Sequence, residues 1–224
     1  MAHLIIIDSL KYGDYLSLKD KLHRARVRDL IENTWLFTSH RPGAFTKGRS
    51  STPESMLATE DQIRNSGREI HAIERGGDVT YHGPSQVMVY PFIAVPDHDI
   101  EKLVRKLEQV IMEFLAGFSL EGEIKPGFPG IWCNGSKIAS IGLAVRKWVT
   151  MHGMSFNHEQ DDGGFDMIIP CGIKGITMTS LEQQIGQKIT RKDVHEKLKS
   201  TVESVFHDEL AEIDSQEFIR QLGN

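Results

Sequence analysis

Residues 1–224 read as one α+β domain built on a mixed, largely antiparallel sheet flanked by helices. Three observations lead there. Short β-branched or aromatic runs recur at residues 3–7, 34–38, 70–73, 87–95 and 138–149. Helical periodicity is confined to a few separate segments. Strands and helices first alternate, then several strands follow one another before a helical tail, an order that suits α+β packing. Neither an internal repeat nor a Ser/Pro-rich linker divides the chain.

The first run, His3-Leu4-Ile5-Ile6-Ile7, predicts a buried strand. Over residues 14–31, Tyr15, Leu18, Leu22, Ala25 and Leu30 collect on one side and most basic residues on the other, the pattern of an amphipathic helix. Thr34-Trp35-Leu36-Phe37-Thr38 reads as a strand ending in a polar Pro/Gly loop over 40–53. The runs at 70–73 and 87–95 are further strands; Pro91 removes a backbone donor from the second and points to an edge or a bulge. The clearest helix is predicted over 99–118. There Ile100, Leu103, Val104, Leu107, Val110, Ile111, Phe114 and Leu115 follow the i, i+3, i+4, i+7 spacing. Pro126, Gly127, Pro129 and Gly130 form a turn-rich passage. The β-prone stretch 138–149 leads into Met151-His152-Gly153-Met154, read as a turn. A last helix starts at Thr190, whose hydroxyl caps it with Asp193 three residues on, and buries Val194, Leu198, Val202 and Val205.

Composition narrows the function. Hydrophobic residues make up 39% and charged residues 25%, which excludes low-complexity disorder. The formal net charge of −5 does not advertise nucleic-acid binding. No apolar run approaches the ~20 residues of a spanning helix, so no membrane partner is expected, and the N-terminus lacks the pattern of a signal peptide. Two cysteines, Cys133 and Cys171, form neither a CxxC pair nor a disulfide framework, which places the protein in a reducing compartment, the cytoplasm. Metal-site spacings such as His-Glu-x-x-His are absent, and so is a Gly-x-Ser-x-Gly elbow; neither metal nor cofactor is expected.

Three segments could hold chemistry. Residues 75–84 (Arg-Gly-Gly-Asp-Val-Thr-Tyr-His-Gly-Pro) join two strands and lack the Gly-Lys-Ser/Thr ending of a phosphate loop. Gly76 and Gly77 let the backbone approach either a ligand or a neighbouring strand. Pro170-Cys171-Gly172 sets a cysteine in a rigid turn, where the sulfur either packs as a small hydrophobe or is aimed at a cleft as a nucleophile. As a thiol of pKa ~8.5 it would need a nearby cation or base, for which Lys137, His82 and His152 are candidates. Cys133, in Trp-Cys-Asn-Gly, lacks such a frame. Lys137 heads the small apolar stretch Lys-Ile-Ala-Ser-Ile-Gly. It either reaches solvent along its stem or sits in a partly dry pocket with lowered proton affinity. Asp161-Asp162 reads as a solvated loop.

In order along residues 35–185, the segments 75–86, Gly130-Ile131-Trp132, 137–142, Trp148-Val149-Thr150-Met151-His152-Gly153, Asn157, Pro170-Cys171-Gly172-Ile173 and Thr179-Ser180-Leu181 closely resemble the lipoyl(octanoyl) transferase family. The resemblance implies the fold shared with the catalytic domain of biotin and lipoate protein ligases. It implies an enzyme that moves octanoyl from octanoyl-acyl carrier protein to a lysine of lipoyl domains, those of 2-oxoacid dehydrogenases and the glycine cleavage H protein, as the first step of protein lipoylation. Cys171 would carry the acyl thioester and Lys137 would be the general acid/base. Arg75, Gly76, Gly77, Asp78, Val79, Thr80, Tyr81 and His82, then Ser140, Ile141 and Gly142, then Gly153, Met154 and Ser155, would line the acyl site.

Two departures from the family pattern bear on the shape of that site. Ser85 stands where glycine is usual in His-Gly-Pro-Gly-Gln, and residues 152–157 vary a segment that usually carries alanine before leucine-asparagine. An acidic carrier would also call for a local basic face, at Arg24, Arg26 and Arg28, at Arg41, Lys47 and Arg49, or at Arg146 and Lys147. Two alternatives stay open: an ATP-dependent lipoate or biotin protein ligase, and a non-catalytic module that binds acyl groups or lipoyl domains.

Overall fold

A computed structural model describes residues 1–222. In chain order its elements are β1 (Ala2–Leu10), α1 (Tyr12–Val27), β2 (Thr34–His40), β3 (Ala44–Lys47), α2 (Glu60–Asn65), β4 (Glu69–Ala72), β5 (Thr80–His82), β6 (Gln86–Phe92) and α3 (Ile100–Ala116). There follow β7 (Gly130–Cys133), β8 (Ser136–Arg146), β9 (Val149–Asn157), α4 (Leu181–Ile185), α5 (Arg191–Phe206), β10 (Leu210–Glu212) and α6 (Ser215–Gln221). Seven strands form one sheet in the order β10-β1-β2-β6-β9-β8-β7, and β4-β3-β5 form a second. In the large sheet β1 runs parallel to both neighbours and every other pair is antiparallel. The predicted α+β class and the mixed, largely antiparallel sheet are both found.

Both faces of the large sheet are apolar, and the two-residue period of the strands deals its side chains between two cores. Leu4, Trp35, Phe37, Val87 and Val89 face one side, where they pack with Leu107, Ile111 and Phe114 of α3 and Val194, Leu198 and Val202 of α5. The interleaved Ile5, Leu36, Met88, Tyr90 and Phe92 face the other side and meet Tyr12, Tyr15, Leu18 and Leu22 of α1. A third cluster, Phe45, Ile63, Val79, Tyr81, Phe165 and Ile168, lies under the small sheet. No helix among the described residues is long and apolar enough to cross a membrane.

Several expectations need correction. α1 ends at Val27, with Asp29 left-handed at φ 53°, so Leu30 falls past the helix and is 71% exposed. The polar passage after β2 contains β3, which pairs with β4 and β5; its side chains are held by tertiary pairing that local composition does not announce. β6, with Pro91, is not an edge strand but lies between β2 and β9. The ladder to β9 stops at Val89–Met154, just before the proline, and Thr150 Oγ1 donates to the Pro91 carbonyl at 2.6 Å. Residues 151–154 are the middle of β9 and not a turn; the chain reverses at Lys147 and Trp148, both with φ above 50° as a two-residue hairpin requires. The tail also holds β10, an added parallel edge strand beside β1.

The last long helix begins as expected: the Asp193 N–H donates to Thr190 Oγ1 at 3.1 Å. Replacing Thr190 with alanine should lower stability by about 1 kcal/mol. A urea midpoint unchanged from the parent protein would show that this cap contributes nothing.

Candidate active site

The Pro170–Gly172 turn is a single 3₁₀ turn in which Cys171 adopts φ 58°, ψ 17°, a left-handed conformation that an L-residue holds only where its surroundings enforce it. Here the Cys171 N–H donates to the Val79 carbonyl at 2.9 Å and the Gly172 N–H to Ile169 at 3.0 Å. Gly172 is left-handed too, at φ 69°, and a Cβ there would lie 2.4 Å from Asp78 Oδ2. Asp78 is itself fixed, accepting from the Val79 N–H at 2.6 Å and from Ser55 Oγ. Proline and glycine thus frame a partly exposed cysteine whose side chain is aimed by a pinned backbone.

Lys137 is 1% exposed, so the strand-end reading in which it reaches solvent does not hold. Its Nζ lies 3.7 Å from Cys171 Sγ and 3.3 Å from the Pro129 carbonyl, over the Trp132 ring at 4.4 Å from the centroid. Ser140 Oγ stands 3.9 Å from the same sulfur. In an unbroken strand, residues three apart point to opposite faces. In β8, Ala139 pairs with Ile131 but Lys137 pairs with Trp132, leaving Ile138 as an extra residue. That bulge turns Lys137 to the side of Ser140, the re-aiming that bulges beside sites perform. A parallel bridge to Met178 holds the lysine backbone from its other side. Burial lowers the lysine's proton affinity, and Cys171, then Glu108, oppose the shift.

The cysteine and lysine open onto a cavity of about 370 Å³, within the range of small-ligand sites. Arg75, Gly76, Gly77, Asp78, Thr80, His82, Ser140, Ile141, Gly142, Gly153, Met154 and Ser155 line it, as expected from the sequence. Val79 and Tyr81 do not. In β5 alternate residues face opposite ways, so Thr80 and His82 meet the cavity while Val79 and Tyr81 join the third core. Ser85 also lies outside the cavity, in a separate groove with Asn157 and Glu159, so that departure from the family pattern does not touch the cavity walls. Arg75 is buried and donates to the Thr46 carbonyl, at 2.8 Å, and to the Gly76 carbonyl, at 2.9 Å.

Sequence reasoning missed Tyr12, Tyr90, Ile100, Val104, Phe128, Pro129 and Leu143 as cavity residues. The signal for one of them was present: Ile100 extends the apolar stripe of α3 past the core and is 42% exposed. Tyr12 and Tyr90 belong instead to a buried group with Tyr15, His40, His82 and His152, gathered from five elements. His152 reaches it through φ 61° in the middle of β9. His82 and His152, both weighed as bases for the cysteine, line the cavity, but no hydrogen bond joins either to Cys171. Burial pushes the pKa of His82 well down and lowers that of His152. His40 is also neutral: it is bonded through Nε2 to the Tyr90 hydroxyl at 2.8 Å and through Nδ1 to the Leu10 carbonyl at 3.0 Å, and burial lowers its pKa to about 4.

Residues 11–203 match the family described as the lipoyl protein ligase A/B catalytic domain. The octanoyltransferase of Christiangramia forsetii is 37% identical over 207 residues, covering 89% of this chain and 88% of that protein. Among solved structures, lipoate-protein ligase A bound with ATP superposes with a TM-score of 0.77 at 15% identity, over 99% of this chain and 94% of that one. The bi-partite lipoate protein ligase of Thermoplasma acidophilum, solved as part of a lipoylation system with its E2 lipoyl domain, gives 0.74 at 12%, over 99% and 91%. At these identities the structural likeness is one of fold.

The buried histidines make stability depend on pH. With the pKa of His40 lowered from 6.5 to about 4, the unfolded chain binds the extra proton between those values. The contribution is fully present above pH 6.5 and lost as pH falls toward 4, amounting to roughly 3 kcal/mol for this residue. Urea midpoints should fall steadily over that window, and less steeply for His40→Asn. A midpoint flat from pH 7 to 4.5 would contradict the neutral, buried assignment.

Proposed function

The chain belongs to the lipoyl protein ligase A/B catalytic domain family, and we propose that its reaction, octanoyl transfer in protein lipoylation, runs through a thioester on Cys171 with Lys137 carrying the protons. It is an acyltransferase, and its acceptors are lipoyl domains. As donor we assign octanoyl-acyl carrier protein, and as acceptors the lipoyl domains of 2-oxoacid dehydrogenases and the glycine cleavage H protein. Two free cysteines suit a reducing cytoplasm. Residues 1–224 are read as one catalytic domain.

The observation that carries this reading is the 3.7 Å approach of Lys137 Nζ to Cys171 Sγ on the wall of a largely apolar cavity. The thiolate attacks the donor's thioester carbonyl, the carrier's sulfur leaves, and Lys137 returns a proton to it. One thioester replaces another, so the acyl group stays activated. The amine of the acceptor lysine then attacks the Cys171 thioester, an amide forms, the thiolate is released, and the amine's proton passes to Lys137. A lysine whose proton affinity is lowered by burial can serve both steps at neutral pH.

The acyl tail has a matching course. Along the paired strands, Ser140–Ser155 beside the sulfur is followed by Ile141–Met154, Gly142–Gly153 and Leu143–His152. Three such steps cover about 10 Å, close to the roughly 9 Å of eight extended carbons. Burying seven methylene or methyl groups at ~0.8 kcal/mol each supplies roughly 5–6 kcal/mol, enough to prefer a medium chain to a short one. Neighbouring lengths differ by only ~1–3 kcal/mol.

Cys171→Ala should fold yet form no acyl-enzyme by intact mass, while Cys133→Ala stays active; octanoyl transfer by Cys171→Ala at the parent rate would end the covalent mechanism. Lys137→Arg should slow transfer by ~10²–10⁴-fold, because a guanidinium keeps its proton at working pH. Full activity in that variant would reduce Lys137 to a fixed charge. Against an ATP-dependent ligase, modification of a lipoyl domain should proceed from octanoyl-acyl carrier protein without ATP or magnesium. Modification only with ATP and free octanoate would transfer the chain to the ligases.

A further inference from the structure

Glu108 takes no part in the chemistry above, yet it is a carboxylate buried to 2% exposure in the middle of α3, flanked by the core residues Leu107 and Val110. Such a group persists in an interior only where it is answered by donors or charge. Its Oε2 lies 3.2 Å from Nη1 of the exposed Arg105, and its Oε1 accepts from the Gly130 N–H at 3.5 Å. Gly130 N–H and Pro129 C=O belong to one peptide group, and that carbonyl accepts from Lys137 Nζ at 3.3 Å. Glu108, the peptide, Lys137 and Cys171 therefore form one continuous chain of polar contacts. Gly130 lets the parts close up, since a Cβ there, at φ 131°, would fall 2.9 Å from Lys137 Cε.

We propose that Glu108 is a positioning residue for the transfer reaction, holding Lys137 beside Cys171 through the Pro129–Gly130 peptide and setting how readily that lysine keeps its proton. The inference rests on the reading of Lys137 as the proton carrier. A peptide whose N–H donates to a carboxylate becomes a stronger acceptor at its carbonyl, so the contact to Nζ tightens. The charge acts in the same direction. Burial lowers the lysine's proton affinity, and the Glu108 carboxylate, after Cys171, opposes that shift. Cys171, from its turn, is the other titratable group against Nζ; Arg75 and Asp78 line the same cavity, and Lys125 stands 5.3 Å from the centroid of the Trp132 ring. Arg105 partly neutralises Glu108 from outside.

The test is the pH profile of kcat for octanoyl transfer to a lipoyl domain by the full chain. Glu108→Gln keeps the shape and an acceptor oxygen for Gly130 but removes the charge. The apparent pKa due to Lys137 should move down by about one unit and kcat should fall about tenfold at neutral pH, with KM for the acceptor domain unchanged. Arg105→Gln, at an exposed position, unmasks the carboxylate and should move the same pKa upward. Profiles unmoved in both variants overturn the proposal, and if Glu108→Gln does not fold, Arg105→Gln decides alone. The residual activity of Lys137→Ala separates the two readings. An apparent pKa that survives there means that Lys137 is not the titrating group, so the proton-carrier reading fails and this inference with it. One that vanishes there, yet ignores both Glu108 and Arg105, defeats only this inference.

Discussion

A lysine ammonium removed from water must be answered by polar partners within a few ångströms, and the site of this protein is arranged around that demand at Lys137. Cys171 Sγ, the Pro129 carbonyl and the Trp132 ring meet the Nζ from three directions. Each depends on a separate local feature. The sulfur is aimed by a left-handed residue in a turn hydrogen-bonded to Val79. The carbonyl comes from a Pro/Gly passage ending at Gly130, where a side chain would strike the lysine's own stem. The lysine faces them because Ile138 bulges out of the β7–β8 ladder.

The large sheet makes this arrangement rigid. With both faces covered, by α3 and α5 on one side and α1 on the other, β8 and β9 have little freedom to shift. The cavity runs beside their paired small residues Ser140, Gly142, Gly153 and Ser155, and α3 closes it with Ile100 and Val104. Its inner end is shared with buried histidines and tyrosines, among which His40 bonds Tyr90 and His152 bonds Tyr15, and Arg75 lines the same cavity.

Fold alone does not separate this chain from ATP-using ligases, since the superposition with an ATP-bound lipoate-protein ligase A covers nearly the whole chain. The separation lies in the site. An already activated thioester calls for a nucleophile and a proton carrier, the roles proposed for the paired sulfur and amine.

Much of the fold was legible in the sequence because its elements carry their own periodicity: the stripe of α3, the cap at Thr190, and the β-branched runs of β1, β2 and β6. The Pro-Cys-Gly frame and the lysine before a small apolar strand were legible for the same reason, being local patterns. What had no local signature was decided by tertiary structure. β3 and β10 are stabilised by pairing with distant strands, so composition hid them. Val79 and Tyr81 sit inside a cavity-lining segment yet face a core, because strand alternation acts only once the small sheet's two sides have been assigned. Lys137 and Cys171 lie 34 positions apart, and whether they would meet turned on one extra residue in a ladder. Sequence determined which groups were available for chemistry, and pairing register decided which of them touch, because a shift of one residue sends a strand's side chains to the opposite face.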